Sequence, residues 1–242
     1  MSSDPVKIFI GTSSNGEDAK IEMAYEHSLR SNTDREVQIT WMRQTNDPNS
    51  FWHGWNDLNW STPFSGYRWG IPEACGFEGK AIYTDCDMIN MRDIGELMDL
   101  SIPDDKMMLA RDGKRFGGKE FCVILFDCAK FNGRIAPVEQ WKDIVTAHHQ
   151  YIELFIKQNL VGWLDPRWNS HDGDTDEIWQ LHYTHMPTQP WAPAWFTGEA
   201  QNHPRPDLVD VFHDAYQAAL DAGYKLEDYA VNRGVNYGII GK

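Results

Sequence analysis

The chain has 242 residues, with 22 Lys and Arg against 36 Asp and Glu, a formal charge of −14. Hydrophobic residues make up 41% and charged residues 24%, which excludes global disorder and leaves enough apolar surface for a core without disulfide or metal staples. So acidic a chain is a poor duplex DNA or RNA binder, because phosphate binding rests mainly on Lys and Arg, and it calls for a cation if an anionic small molecule is to be held. No stretch approaches the roughly 18 apolar residues of a membrane span, and MSSDPVKIFIG has no basic segment before its apolar run, so neither a transmembrane segment nor a signal peptide is expected. Cys75, Cys86, Cys122 and Cys128 show no C-x-x-C spacing and read as reduced thiols of a cytoplasmic protein. The 11 Trp are unusual, since indole both packs cores and stacks on sugar faces.

In chain order, Val6 to Ile10 reads as a strand ending in the small polar loop Gly11-Thr12-Ser13-Ser14-Asn15-Gly16. Asp18 then caps a helix with Ile21, Ala24, Tyr25, Ser28 and Leu29 at helical spacing, and Val37 to Met42 forms the next strand. This βαβ opening predicts a parallel α/β sheet with ligands at the carboxyl ends of its strands. The loop is neither G-x-G-x-x-G nor a P-loop. Residues 44–64 read as a loop bearing Trp52, Trp55 and Trp60, followed by a short helix from Ser65 to Cys75 that Gly76 ends. Strands are predicted at Ala81 to Thr84, Met107 to Ala110, Phe121 to Phe126 and Ile178 to His182. Helices are predicted at Ile94 to Met98, Val138 to Gln158 and Asp207 to Ala222. No linker or repeat interrupts the series, so a single domain over 1–242 is expected.

Five features bear on chemistry. Asp85-Cys86-Asp87 places two carboxylates directly after an apolar strand, hard oxygen ligands suited to Mg²⁺ or Mn²⁺, with an Asx turn as the plain alternative. His182 ends a strand and opens the Pro-punctuated run to Trp191, where it serves either as a further ligand or as a core histidine. Asp172-Gly173-Asp174-Thr175-Asp176 lacks the Gly and Glu spacing of a calcium loop and reads as a solvated turn. Arg68 is a basic residue in an aromatic stretch ahead of the Asp85 strand, with a surface arginine as the plain alternative. His148 continues an apolar stripe and reads as structural, whereas His149 and Gln150 are candidates to face a cleft. No G-x-S-x-G appears, and no Cys–His pair has a supporting context.

Taken in order over about residues 6–191, these pieces resemble a family 8 glycosyltransferase, the group that includes glycogenin and bacterial lipopolysaccharide galactosyltransferases. The resemblance rests on Tyr67-Arg68, on Tyr83 to Asp87 as Y-x-D-x-D, and on Ile94-Gly95-Glu96-Leu97. It continues through Ala110-Arg111-Asp112, Pro166-Arg167-Trp168-Asn169 and the His182 to Trp191 box. It implies a single GT-A domain, a Rossmann-like α/β fold with a mostly parallel central sheet. It further implies Mn²⁺ held by Asp85, Asp87 and His182, with Mg²⁺ as a substitute, and UDP as the default nucleotide. Gly11, Thr12 and Ser13 would meet the nucleoside, Arg68 and Asp85 the donor, and Asp112 the hydroxyls of its sugar. Transfer to a saccharide or glycoconjugate acceptor would retain anomeric configuration, with Gln150 and Asp112 the candidates for a catalytic role and no base named.

The sequence also departs from the family pattern. Gln189 stands where a lysine would contact the diphosphate, a charge that Arg68, Arg167 or Arg205 would have to replace. Glu120-Phe121-Cys122 replaces an Asn–Ala–Gly strand start, and His149-Gln150-Tyr151 keeps only the glutamine of D-Q-D. Trp52, Trp55, Trp60, Trp191 and Trp195 are candidates to border the acceptor cleft, with lid or core packing as the equal alternative. Two other readings stand beside the enzyme: a catalytically lapsed GT-A domain that binds nucleotide sugar or glycan, and a nucleotidyltransferase, although the Gly-rich basic loop of the latter is missing.

Overall fold

The β-branched and aromatic run at the start of the chain forms β1 (Val6–Gly11), which pairs in parallel with β2 (Val37–Met42) from Val6 opposite Val37 to Gly11 opposite Met42. Helix α1 (Ala19–Ser31) makes the crossover, as expected of a βαβ unit. The computed structural model describes residues 4–13, 16–55, 64–114, 117–142, 147–191 and 202–230. A 3-10 turn at Tyr67–Gly70 runs into α2 (Ile71–Ala74), and Gly76 at φ 64° supplies the left-handed step that ends it. Then come β3 (Lys80–Asp85), β4 (Met88–Asn90), α3 (Ile94–Asp99), β5 (Met108–Asp112) and β6 (Lys119–Asp127). The remaining elements are α4 (Val138–Trp141), α5 (Ala147–Lys157), β7 (Val161–Trp163), β8 (Ser170–His171), β9 (Gln180–His182) and α6 (Pro206–Asp221).

Six strands form one sheet in the order β2-β1-β3-β6-β5-β7, and three form a second in the order β4-β9-β8. In the larger sheet only β6 runs against its neighbours, β3 and β5, so the carboxyl ends of the others and the start of β6 share one edge. Asp85 ends β3 and Met88 begins β4, so the D-x-D turn is the junction between the two sheets. One face of the large sheet packs a cluster that includes Trp69, Phe121, Phe126 and Phe155, and the other a cluster that includes Tyr25, Leu29, Leu97 and Trp168. Helix α6 presses Leu208 and Phe212 against Ile21 and Ala24 of α1.

Several expectations change. The helix expected over Val138 to Gln158 is two helices, α4 and α5, with residues 143–146 outside the described residues. Strands β4, β7 and β8 are not expected from the sequence because two or three residues show no usable alternation. Asp18 stands at the start of α1 without capping it; its carboxylate accepts instead from Trp191 Nε1 at 3.2 Å. Of the two readings open for Trp52, Trp55 and Trp191, all three take core packing. Trp52 and Trp55 are buried, Trp52 stacking on Tyr67 with centroids 5.7 Å apart, and Trp191 is buried against Tyr183 and Phe212. Trp60 and Trp195 lie outside the described residues. Among the described side chains the exposed tryptophan is Trp163, at 58%, on the last residue of β7.

His148 is structural, as read from the stripe: it is buried, and its Nδ1 accepts from Trp69 Nε1 at 2.8 Å. Burial and the nearby Arg68 charge push its pKa down to about 2, against an ordinary 6.5. An unfolded chain takes up this proton as pH falls below 6.5 and the folded one does not, so stability from His148 is complete above that value and lost below it. Replacing His148 by Gln keeps an acceptor for Trp69 and removes the titration. Urea unfolding at about pH 8 and about pH 5 should show wild type losing about 2 kcal/mol more than the variant; equal losses would refute the assignment.

Candidate functional site

At the shared edge, Arg68 is the organising side chain. It is buried, not at the surface, and its guanidinium donates to the carbonyls of Ser65 and Phe121 and reaches Asp85 Oδ1 at 3.3 Å. It also lies 4.4 Å from the Tyr83 ring centre, and the Tyr83 hydroxyl donates to the same Asp85 Oδ1. Burial lifts the Tyr83 hydroxyl well above its ordinary pKa even with Arg68 beside it, so Tyr83 is a fixed donor. Gly11, opposite Asp85 across β1 and β3, permits this closeness: a Cβ there would meet Phe64 Cδ2 at 2.6 Å and the Tyr83 hydroxyl at 3.0 Å.

Pairing of β4 with β9 sets Met88 opposite His182 and so brings the histidine to Asp87. His182 is 4% exposed, with Nε2 3.2 Å from Asp87 Oδ1 and Nδ1 2.8 Å from Asn169 Oδ1. Burial lowers its pKa, but the Asp87 carboxylate outweighs that and holds it above its ordinary value. Gln189 donates to Asp87 Oδ2 at 3.0 Å and to the Tyr183 carbonyl at 2.8 Å, so the residue in the lysine position braces the second D-x-D carboxylate. The ligand atoms of Asp85, Cys122 and His182 all lie within 4.8 Å of one another.

Three residues here escaped the sequence reading as site members. Cys122 sits on β6 one step beyond Val123, which pairs with Thr84, and so falls next to Asp85. Asn169, in the Pro166-Arg167-Trp168-Asn169 turn, orients His182; that quoted turn was the available signal. His171 pairs across β8 and β9 with His182, their rings 5.2 Å apart, and burial together with the His182 charge lowers its pKa to about 4.

Other expected residues are placed differently. Thr12 is fully buried and donates its hydroxyl to Glu22, and Ser13 is buried against Asp18, so neither presents its side chain at the surface. Asp112 ends β5 at the same sheet edge, but its carboxylate pairs with Lys119 at 2.6 Å. Gln150 and His149 lie on the exposed face of α5. Arg167 is engaged by Asp165 and Glu177 and Arg205 by Asp207, so both replacement cations already have carboxylate partners. The 172–176 turn is more than a solvated loop: Asp172 accepts from Thr184 N at 3.1 Å and lies 3.4 Å from His203 Nε2, while Asp174 pairs with Arg111 at 2.8 Å.

These residues fit a divalent cation. Asp87 Oδ1 is buried and faces His182 Nε2 at 3.2 Å, so a carboxylate oxygen and an imidazole nitrogen, both donor types that divalent cations take, converge at one point. The Asn169 contact at Nδ1 leaves Nε2 as the histidine nitrogen facing the carboxylates, the usual arrangement behind a metal-binding imidazole.

No protein-family model matches the chain. A protein of Arabidopsis thaliana named Protein CDI is 33% identical over 107 residues, covering 42% of this chain and 38% of its own length. Solved structures of similar fold include the apo form of the bifunctional glycosyltransferase WbbM, 13% identical with TM-score 0.59, covering 96% of this chain and 52% of that one. The galactosyltransferase LgtC, in complex with donor and acceptor sugar analogs, is 14% identical with TM-score 0.58, covering 88% and 96%. GlyE of Streptococcus pneumoniae is 17% identical with TM-score 0.59, covering 93% and 62%. The chain thus spans about half of WbbM and well under half of Protein CDI. The fold is the GT-A fold of these glycosyltransferases, as the resemblance implied, with its mostly parallel central sheet. Among the described residues no helix is long and apolar enough to cross a membrane.

Removing Arg68 strands Asp85 and two carbonyls. Arg68→Met should cost about 3–5 kcal/mol by chemical unfolding, the range for breaking one side of a buried ion pair. Adding Asp85→Asn should recover part of that loss; strict additivity of the two changes would refute the coupling.

Proposed function

We propose that the protein transfers a sugar from a nucleotide-diphosphate donor, a UDP-sugar by default, to a saccharide or glycoconjugate acceptor with retention of anomeric configuration. The observation that carries this reading is the D-x-D turn with His182 beside it, at the carboxyl edge of β3 in a GT-A fold. Asp85, Asp87 and His182 would hold Mn²⁺ or Mg²⁺. Such a cation, when bound, neutralises charge that develops on the departing diphosphate. The protein's own residues prepare the place: Arg68 and Tyr83 fix the Asp85 rotamer, Asn169 fixes the His182 ring, and Gln189 fixes Asp87. Immobilised ligands of this kind need little reorganisation when charge appears, and electrostatic catalysis depends on that. Gln189 brings no charge to the diphosphate, so the cation carries more of that burden than it would beside a lysine.

A lapsed GT-A binding module is the second reading, and a specific observation favours it: Gln189, Asp112 and Thr12 are all engaged within the protein. Incubating the chain with Mn²⁺ and a panel of nucleotide sugars, and assaying release of nucleoside diphosphate, separates the readings. Turnover that falls on the order of 10²-fold or more in Asp87→Ala is the expected result. Tight donor binding without turnover would establish the binding module instead. Pyrophosphate release from a sugar phosphate and a nucleoside triphosphate would overturn both in favour of nucleotidyl transfer.

A further inference from the structure

At this edge a sulfur stands beside oxygen and nitrogen. Asp85 comes from β3, Cys122 from β6 and His182 from β9, and their ligand atoms converge within 4.8 Å. Asp85 and Cys122 are the next positions outward from the Thr84–Val123 pair, so the antiparallel register of β3 and β6 holds them side by side. The Cys122 thiol lies beside Asp85 and Arg68. Arg68 and Tyr83 both contact Oδ1 of Asp85 and leave Oδ2 free of these two groups. Next to this set, Asn169 Nδ2 is buried without a hydrogen bond, a donor that a water bound to a nearby ion would satisfy.

We propose that Cys122 is an inner ligand of the cation, with Asp85 and His182, and that the site prefers a borderline cation of the zinc or cobalt class over Mg²⁺ or Mn²⁺. The inference rests on the reading that a cation occupies this edge. Thiolate and imidazole ligands favour Zn²⁺ and Co²⁺, whereas an all-oxygen set favours Mg²⁺ and Mn²⁺. For such a cation Asp87, held by Gln189, stays outside the inner set, and carboxylate, thiolate and imidazole from Asp85, Cys122 and His182 leave one tetrahedral position for a substrate oxygen, as in catalytic zinc sites. On binding, the Cys122 S–H bond is replaced by a metal–sulfur bond and the proton passes to solvent.

Titration of the metal-free full chain with Co²⁺, followed by absorption, tests this directly. Tetrahedral d–d bands and a near-ultraviolet thiolate-to-cobalt band are expected, and Cys122→Ser should keep the first and lose the second while Cys75→Ser keeps both. Competition should show Zn²⁺ affinity falling on the order of 10- to 100-fold in Cys122→Ser, at least the loss seen for outer ligand-orienting groups, with Mn²⁺ affinity little changed. In the unaltered protein, Zn²⁺ should also slow maleimide labelling of Cys122, read by peptide mass, so the test does not depend on a variant folding. Cobalt d–d bands without the sulfur band, or labelling unaffected by Zn²⁺, would overturn the role of Cys122 and leave the D-x-D cation site standing. Failure of Co²⁺, Zn²⁺ and Mn²⁺ alike to bind would overturn both.

Discussion

A buried guanidinium has to be surrounded by acceptors or it unfolds what surrounds it. Arg68 is 5% exposed and meets that condition with partners drawn from three segments: Ser65 from its own turn, Asp85 from β3 and the Phe121 carbonyl from β6. The cation therefore sets where the aromatic turn, the central strand and the lone antiparallel strand meet. The D-x-D turn begins at that point, and so do the start of β6 and the stacking of Tyr83. Hydrogen bonds to a charged group are worth roughly twice neutral ones, which makes this knot stiffer than the loop chemistry around it.

Much of this was legible from local pattern. Strands β1, β2, β3 and β6 are apolar runs bounded by small or acidic residues, and their period and boundaries announce themselves. The D-x-D pair is visible because both residues lie within one turn, and the position of His182 at a strand end was readable too. Hidden were facts of pairing. That Cys122 adjoins Asp85 follows from the register of β3 with β6, and that Asn169 orients His182 follows from a turn meeting a strand 13 residues later. The tryptophans stayed ambiguous because composition does not say which face of a loop turns inward; Trp52 and Trp55 close over Tyr67.

The acidity of the chain also reads differently in three dimensions. Asp18 and Glu22 are deep inside, close to the D-x-D turn, and burial raises the pKa of both, that of Glu22 to about 7 with Arg43 pulling the other way. Protons bound there make the folded chain less negative near neutral pH than its formal charge.

The junction of the two sheets has a consequence in time as well as in space. Asp85 and Asp87 are neighbours in the chain, but Gln189, which braces Asp87, lies 102 residues beyond it. Contacts so distant in sequence form late, because the entropy of closing the intervening chain must be overcome before they stabilise anything. A partly synthesised or partly refolded molecule thus carries the carboxylates before it carries the histidine and glutamine that discipline them. The site is complete only once β9 has docked on β4.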